Sequence, residues 1–241
     1  MTAMNTSTRV SSRLSTAATT LGVLACVLIA GFTVWDKAVS APPSGRDAPT
    51  MPPIDTAGLP TLGSDSAAVV AIEYSDFECP ACGVFARDDL DAFKKGYVLS
   101  GRVRFVFAFR PLTAIHPSAL QAAEAARCAQ AQGAFWPMHD RLFHHQDALE
   151  ESDLKRYAAG LNLDQNQFDQ CLADRRTAQE IERWNGAGEV FVDGTPTFVV
   201  GRTIAPSLVR ADRIVGSPGH GNLRSEIDGA LTAVEREQMP R

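Results

Sequence analysis

The sequence predicts an α/β fold that carries an inserted all-helical subdomain and follows an N-terminal membrane helix. Three observations predict the domain. A strand–helix–strand pattern comes early, a long block of purely helical periodicity follows it, and strand and then helix return near the C-terminus. An uncharged run ahead of all three supplies the membrane helix.

That run, Leu14 to Trp35, is long enough to cross a bilayer as a helix. Arg9 and Arg13 precede it and one Lys and one Asp follow, so residues 1–13 are expected in the cytoplasm and the rest outside. The alternative is a cleaved signal peptide, since Ala38, Val39 and Ser40 form a small-residue cleavage site. Cys26 reads as a small apolar residue of this helix. On either reading the body of the protein is extracytoplasmic, anchored in the inner membrane by residues 14–35 or released on the periplasmic side. Residues 36–61 hold Pro42, Pro43, Pro52, Pro53 and Pro60 among Gly, Ser and Asp, which predicts an extended spacer. The folded domain is expected over residues 62–235, with 236–241 as a tail.

Within the domain, Ala67 to Tyr74 is a short apolar run suited to a strand buried on both faces. Pro80 then fits the first turn of a helix, which presents Ala86, Leu90 and Phe93 on one face and is expected to stop near Gly96. Arg102 to Phe109 is the second strand, parallel to the first across the helical crossover. Residues 118–185 read as helical throughout. Ala119 to Gln130 is rich in alanine, and Phe135 to Phe143 continues after Gly133. Ser152 is expected to cap a helix ending at Gly160, and Asp164 with Gln167 resembles a capping box. A strand follows Pro196 and runs to Gly201, and Asn222 to Val234 is a final amphipathic helix. Residues 202–221 show no pattern that assigns them.

The 241-residue chain is 45% hydrophobic, enough for one sizeable core. Its net charge of −5 leaves no basic footprint for nucleic acid, and that class is set aside. Four cysteines lie beyond the membrane run: Cys79, Cys82, Cys128 and Cys171. Outside the cytoplasm disulfides form and persist. Four cysteines allow three pairings, and the closeness of Cys79 and Cys82 leaves Cys128 with Cys171. A structural disulfide is the main reading of the latter pair; a second redox relay or two free thiols are the alternatives.

Thiol–disulfide exchange needs a sulfur that can attack and also leave as an anion. A helix N-terminus offers unpaired N–H groups and the positive end of the helix dipole. Cys79 sits at that end beside Pro80 and Ala81, so its thiolate is expected to be stabilised, with Cys82 one turn on as the resolving thiol. A Cys-x-x-Cys is also half of many zinc sites, but no second half is present. His139, His144 and His145 match no ligand spacing and read as solvated helix faces. No metal is expected.

From about Leu62 to about Leu231 the chain resembles the DsbA family of thioredoxin-fold proteins. The segment Phe77-Glu78-Cys79-Pro80-Ala81-Cys82, the helical insertion and Gly194-Thr195-Pro196-Thr197 carry the resemblance, and Tyr74-Ser75-Asp76-Phe77 before the first cysteine narrows it to one branch. The resemblance implies a cis Pro196 facing the redox pair and a Thr195 backbone offered to an extended substrate segment. It also implies that Glu73 lies beneath Cys82, with a pKa raised by burial, to shuttle that thiol's proton. Relatives carry a disulfide like Cys128–Cys171. The implied function is disulfide exchange with exported proteins, as a dithiol oxidase, without a cofactor beyond the redox-active disulfide. The implied partners are substrate proteins with thiols or disulfides and a quinone-linked membrane protein of the DsbB or vitamin K epoxide reductase kind. A disulfide reductase or isomerase, or a non-catalytic module carrying a client or copper, is the alternative. Ala81 departs from the strongly oxidising members, which have His there, and this predicts a potential below the roughly −120 mV of DsbA. Glu78, next to Cys79, is expected at the surface.

Overall fold

The computed structural model describes residues 46–47, 51–189, 192–216 and 220–238. The expected membrane helix at 14–35, the cytoplasmic residues 1–13 and the first part of the spacer lie outside these residues, as do 239–241. Among the described residues, no helix is long and apolar enough to cross a membrane.

Among the described residues, the domain is built on one mixed sheet of seven strands. These are β1 (Arg46–Asp47), β2 (Ile54–Asp55), β3 (Thr61–Leu62), β4 (Val69–Ser75), β5 (Val103–Phe109), β6 (Thr197–Ala205) and β7 (Leu208–Gly216). The order is β1-β7-β6-β4-β5-β3, with β2 also on β7. β4 and β5 are parallel, Val69 opposite Val103 through Ser75 opposite Phe109. β6 runs antiparallel to β4, with Tyr74 opposite Thr197. Every residue of β4 and β5 is buried. This is the consequence of covering a sheet on both sides, and it explains why both strands read as unbroken apolar runs.

One side is covered by α1 and α7. α1 spans residues 80–98, α-helical at Pro80–Val84 and Leu90–Phe93 and wider, π-type, at Phe85–Asp89 and Lys94–Val98. α7 is His220–Gln238. Val69, Ala71, Phe105, Phe198 and Val200 meet Phe85, Leu90 and Phe93 of α1 and Leu223 and Ile227 of α7. The other side is covered by the helical insertion. It comprises α2 (Ala119–Ala131), α3 (Phe135–His144), α4 (Glu151–Gly160), α5 (Gln165–Ala173) and α6 (Arg175–Glu189). Val70, Ile72, Tyr74, Val106 and Ala108 pack against it. α2 buries Ala122, Ala123, Ala125, Ala126 and Ala129. Methyl groups there let its backbone come close to its neighbours. A disulfide joins Cys128 of α2 to Cys171 of α5.

Several expectations need correction. Residues 46–47 and 51–62 are not a free spacer: β1 and β2 pair with β7, β3 pairs with β5, and Met51 and Ile54 pack on the core. The folded domain therefore begins before residue 62. Two-residue strands are too short to show a period, and proline is compatible with such edge positions. Residues 202–216 form the rest of a β6–β7 hairpin turning at Pro206 and Ser207, with register shifts at Val200/Gly201 and Thr203/Ala205. α1 continues past Gly96 to Val98. Ser152 lies inside α4, whose N-cap is Glu150. The insertion's last helix runs to Glu189 rather than 185. α7 starts before Asn222 and extends to Gln238, into the expected tail. The Asp164 side chain does cap α5, accepting from the Gln167 amide at 3.0 Å.

Candidate active site

The site forms where β4 ends and α1 begins. Asp76 ends the strand and organises the turn. One of its carboxylate oxygens accepts from the Glu78 amide at 2.8 Å, and its carbonyl accepts from the Cys79 amide at 3.1 Å. Its other carboxylate oxygen accepts from the Leu112 amide and pairs with His116 Nδ1, both at 2.8 Å. Asp76 is buried, so these bonds are made away from water and tie the turn to the loop after β5. Phe77 is inserted in the core against Phe107 and Phe143, at ring separations of 5.1 and 4.9 Å. Cys79 is left as the N-cap of α1, with extended backbone and Pro80 at the first helical position.

Cys79 and Cys82 are both free thiols. Cys79 Sγ donates to the Thr195 carbonyl at 3.4 Å, across the cis Thr195–Pro196 bond's strand entry. Its pKa is lowered to about 5. The first cause is the hydrogen bond from the Cys82 thiol; the Thr195 side chain and the amides of Cys82 and Ala81 add to it against the opposing effect of burial. Cys82 is fully buried, and burial first, then its bond to Cys79 and the charge of Glu73, raise its pKa well above an ordinary thiol's. Two identical side chains three residues apart are thus driven in opposite directions.

Glu73 is buried within β4, on the parity of Val69 and Ala71. Desolvation raises its pKa from 4.5 to about 8, with the Ser75 hydroxyl offsetting part of the rise. Neither carboxylate oxygen has a hydrogen-bond partner within 3.5 Å among the described residues. Glu73 is therefore a protonated acid at neutral pH, electrostatically linked to both thiols. Glu78, expected at the surface, is half-buried, and its carboxylate accepts from the Ser118 amide at the start of α2 at 2.7 Å. The helix dipole suits an anion there. His139 also departs from expectation: it is fully buried among Phe77, Phe107, Phe135, Trp136 and Phe143, with Nδ1 on Asp140. Burial lowers its pKa. Its place in the middle of an aromatic-rich helix was the available sign. Among the described residues, no three metal-ligating side chains come together.

The structure thus brings Glu73, Cys79, Pro80, Ala81, Cys82, Thr195 and Pro196 to one end of the sheet and keeps Cys128 and Cys171 in the insertion. Sequence reasoning named Asp76 only as part of the Tyr74–Phe77 motif, without a role, and did not single out Gly83, Arg87 or Gln146, which surround the pair. The segment before Cys79 held a signal for Asp76, because Asp two residues ahead of an amide forms an Asx turn.

Residues 55–215 match the family model described as Thioredoxin. The chain belongs to the thioredoxin family. Within this family its fold is that of the DsbA proteins. The crystal structure of Wolbachia pipientis alpha-DsbA1 superposes with a TM-score of 0.64 at 22% identity, covering 78% of this chain and 96% of that one. Oxidised BdbD from Bacillus subtilis gives 0.64 at 23% identity, over 78% of this chain and 100% of that one. Among curated proteins, the Na(+)/H(+) antiporter NhaA 3 of Salinispora tropica is 46% identical over 151 residues. That match covers 62% of this thioredoxin-family chain but 22% of the antiporter, and the share reaches 33% in another such relative. The chain spans a third or less of the curated relatives it matches.

Proposed function

We propose that this thioredoxin-family protein is an extracytoplasmic dithiol oxidase that passes the Cys79–Cys82 disulfide to exported proteins. The observation that carries this reading is the placement of Cys79 at the start of α1, against the Thr195 carbonyl before the cis Pro196, with Cys82 buried one turn on, a setting that drives the two ionisations apart. Cys79 is a good leaving group and Cys82 a poor one.

In the first step a substrate thiolate attacks Cys79 Sγ, the S–S bond to Cys82 breaks, and a mixed disulfide forms. The electron pair leaves on Cys82, whose high pKa demands a proton. Glu73, protonated at neutral pH, supplies it. In the second step another substrate thiolate attacks the substrate sulfur of the mixed disulfide and expels Cys79 as a stable thiolate. The substrate has lost two electrons, and the enzyme holds one thiol and one thiolate. Thr195 and Pro196, beside Cys79, form the edge on which an extended substrate segment lies. Reoxidation by a membrane quinone-linked partner returns the disulfide.

The uncharged run at 14–35 supports a membrane-anchored position. The antiporter relatives, which carry a matching segment in one polypeptide with a membrane transporter, agree with it. The direction of exchange is tested by mixing oxidised protein with a reduced client protein and following loss of client thiols. Stoichiometric loss with wild type and none with Cys79→Ser is expected. Equal loss in both ends the proposed mechanism.

A further inference from the structure

The side chain of Gln146 links the helical insertion to the backbone of the redox site. Gln146 follows α3, and its amide Nε2 donates to two carbonyls of the active-site turn, Phe77 O and Cys79 O, both at 2.8 Å. Its Oε1 accepts from Arg87 Nη1 at 3.1 Å, and the same Arg87 nitrogen donates to the Phe143 carbonyl at 2.6 Å. The chemistry on each side fixes which way the amide points. A guanidinium only donates, so Oε1 must face Arg87, and carbonyls only accept, so the NH2 must face the turn. Gly83, the residue after Cys82, makes room for this. A Cβ there would collide with Gln146 Oε1 and Cδ and with Arg87 Nη1.

We propose that Gln146, oriented by Arg87 and admitted by Gly83, is a positioning residue for the nucleophilic thiol. It holds the carbonyls of Phe77 and Cys79 so that the Cys79 sulfur stays in front of the Ala81 and Cys82 amides. The Cys79 carbonyl also accepts the Gly83 amide at 3.1 Å, so it is held from two directions. Without Gln146 the turn keeps the bonds of Asp76 and Glu78 but loses the donor on its Phe77 and Cys79 carbonyls, and the sulfur drifts from the amide dipoles that favour its anion. The inserted subdomain thereby contributes to reactivity through one amide as well as covering the sheet. This inference rests on the redox reading above.

The test titrates the Cys79 thiolate by absorbance at 240 nm and by iodoacetamide alkylation in wild type, Gln146→Met and Gly83→Ala. Methionine keeps the length of glutamine and removes the donor; alanine at 83 displaces the amide and leaves its chemistry. Both variants are expected to raise the Cys79 pKa by about one unit, which makes alkylation roughly tenfold slower below pH 5. The double variant is expected to be no worse than either alone, because both break the same contact. Unfolding midpoints that fall while the thiolate titration stays in place would show a mere brace and overturn the proposal. Should the variants not fold, the Gln146 side-chain amide signals of wild type decide by NMR. They must move with Cys79 ionisation, and signals indifferent to it overturn the proposal too. A wild-type Cys79 that titrates as an ordinary thiol sinks the redox reading itself, a distinguishable result.

Discussion

The two cysteine pairs of this protein are made of the same atoms and are held in opposite ways. Cys79 and Cys82 lie at a helix start, beside a carboxylic acid and against the edge of a strand entered through Thr195. Cys128 and Cys171 are 43 residues apart, bonded to each other between two helices, with Cys128 sealed in the core. The first pair is surrounded by groups that respond to charge on sulfur. Around the second, Thr177 Oγ1 lies 3.7 Å from Cys171 Sγ, and the rest of the setting is hydrophobic packing. The difference teaches that a disulfide becomes a catalyst when one of its sulfurs can be held as an anion, and a cross-link when neither can.

The largest expected effects separate the pairs by function. Cys79→Ser should reduce exchange with a client to the uncatalysed background, with the fold intact by circular dichroism. Replacing Cys128 and Cys171 together by Ser should leave exchange unchanged and lower stability by about 4 kcal/mol in the chain-entropy model. For a domain of this size that is a fall in melting temperature of about 8–16 °C. Exchange lost with the second pair instead would erase the distinction.

The next effect sharpens what makes the first pair reactive. Glu73 has a pKa near 8 in the fold against 4.5 as a free side chain. A raised carboxyl pKa means the fold tolerates the acid form and resists the anion. Its contribution is harmless below about pH 4.5, and stability is lost as pH rises from there through 8. Glu73→Gln removes that loss. The variant should therefore be more stable than wild type at pH 8–9, by an amount on the order of 3–5 kcal/mol at most, and no more stable at pH 4. It should also slow the step in which Cys82 leaves. A stability difference that does not grow with pH would contradict the assigned burial effect.

How far the sequence made this comparison legible depended on range. The Cys79–Cys82 site spans four residues and is visible locally. β4 and β5 were visible because burial on both faces makes them continuous runs of Val, Ile and Phe. The β6–β7 hairpin was hidden beyond Gly201. There Arg202, Arg210 and Asp212 bring charge onto the strands, joined as an ion pair at 2.8 Å between Arg202 and Asp212, and the register shifts break the alternation. The short strands β1, β2 and β3 were hidden by their brevity and the neighbouring prolines. Gln146 was invisible for a different reason: it contacts carbonyls 67 and 69 residues away, and a backbone acceptor leaves no mark in a sequence. His139 misled because a histidine in a helix is usually solvated, and only the packing of five aromatic rings shows that this one is not.

That buried imidazole gives a smaller, opposite pH effect. Its pKa is lowered by desolvation, against the pull of Asp140. The unfolded chain takes up a proton near pH 6.5 while the fold resists it, so stability present above that pH is lost progressively below it. His139→Phe should flatten the dependence of the unfolding midpoint between pH 6.5 and 5 relative to wild type. Parallel profiles for the two proteins would place the acid sensitivity elsewhere.

The smallest effect concerns the height of the gap between the pairs. Ala81 is exposed at the first turn of α1, next to Cys82, and its methyl side chain offers no donor to the Cys79 anion beyond the backbone amide. The thiolate is already favoured by Cys82, the Thr195 side chain and two amides, so the pair should be oxidising but less so than the roughly −120 mV of DsbA. A His at this position would reach the same sulfur from the solvent side without displacing packed atoms. One added charge-assisted hydrogen bond stabilises the reduced form by about 1.5 kcal/mol. For a two-electron couple that corresponds to about 30 mV. Ala81→His should therefore raise the potential by about 30 mV in a glutathione equilibrium, and the Cys128–Cys171 disulfide should stay intact throughout, since structural disulfides resist the glutathione pool. A potential unmoved by the substitution would mean that the amides and Cys82 already saturate the anion. Its energy would then be set wholly by the turn that Asp76 and Gln146 hold in place.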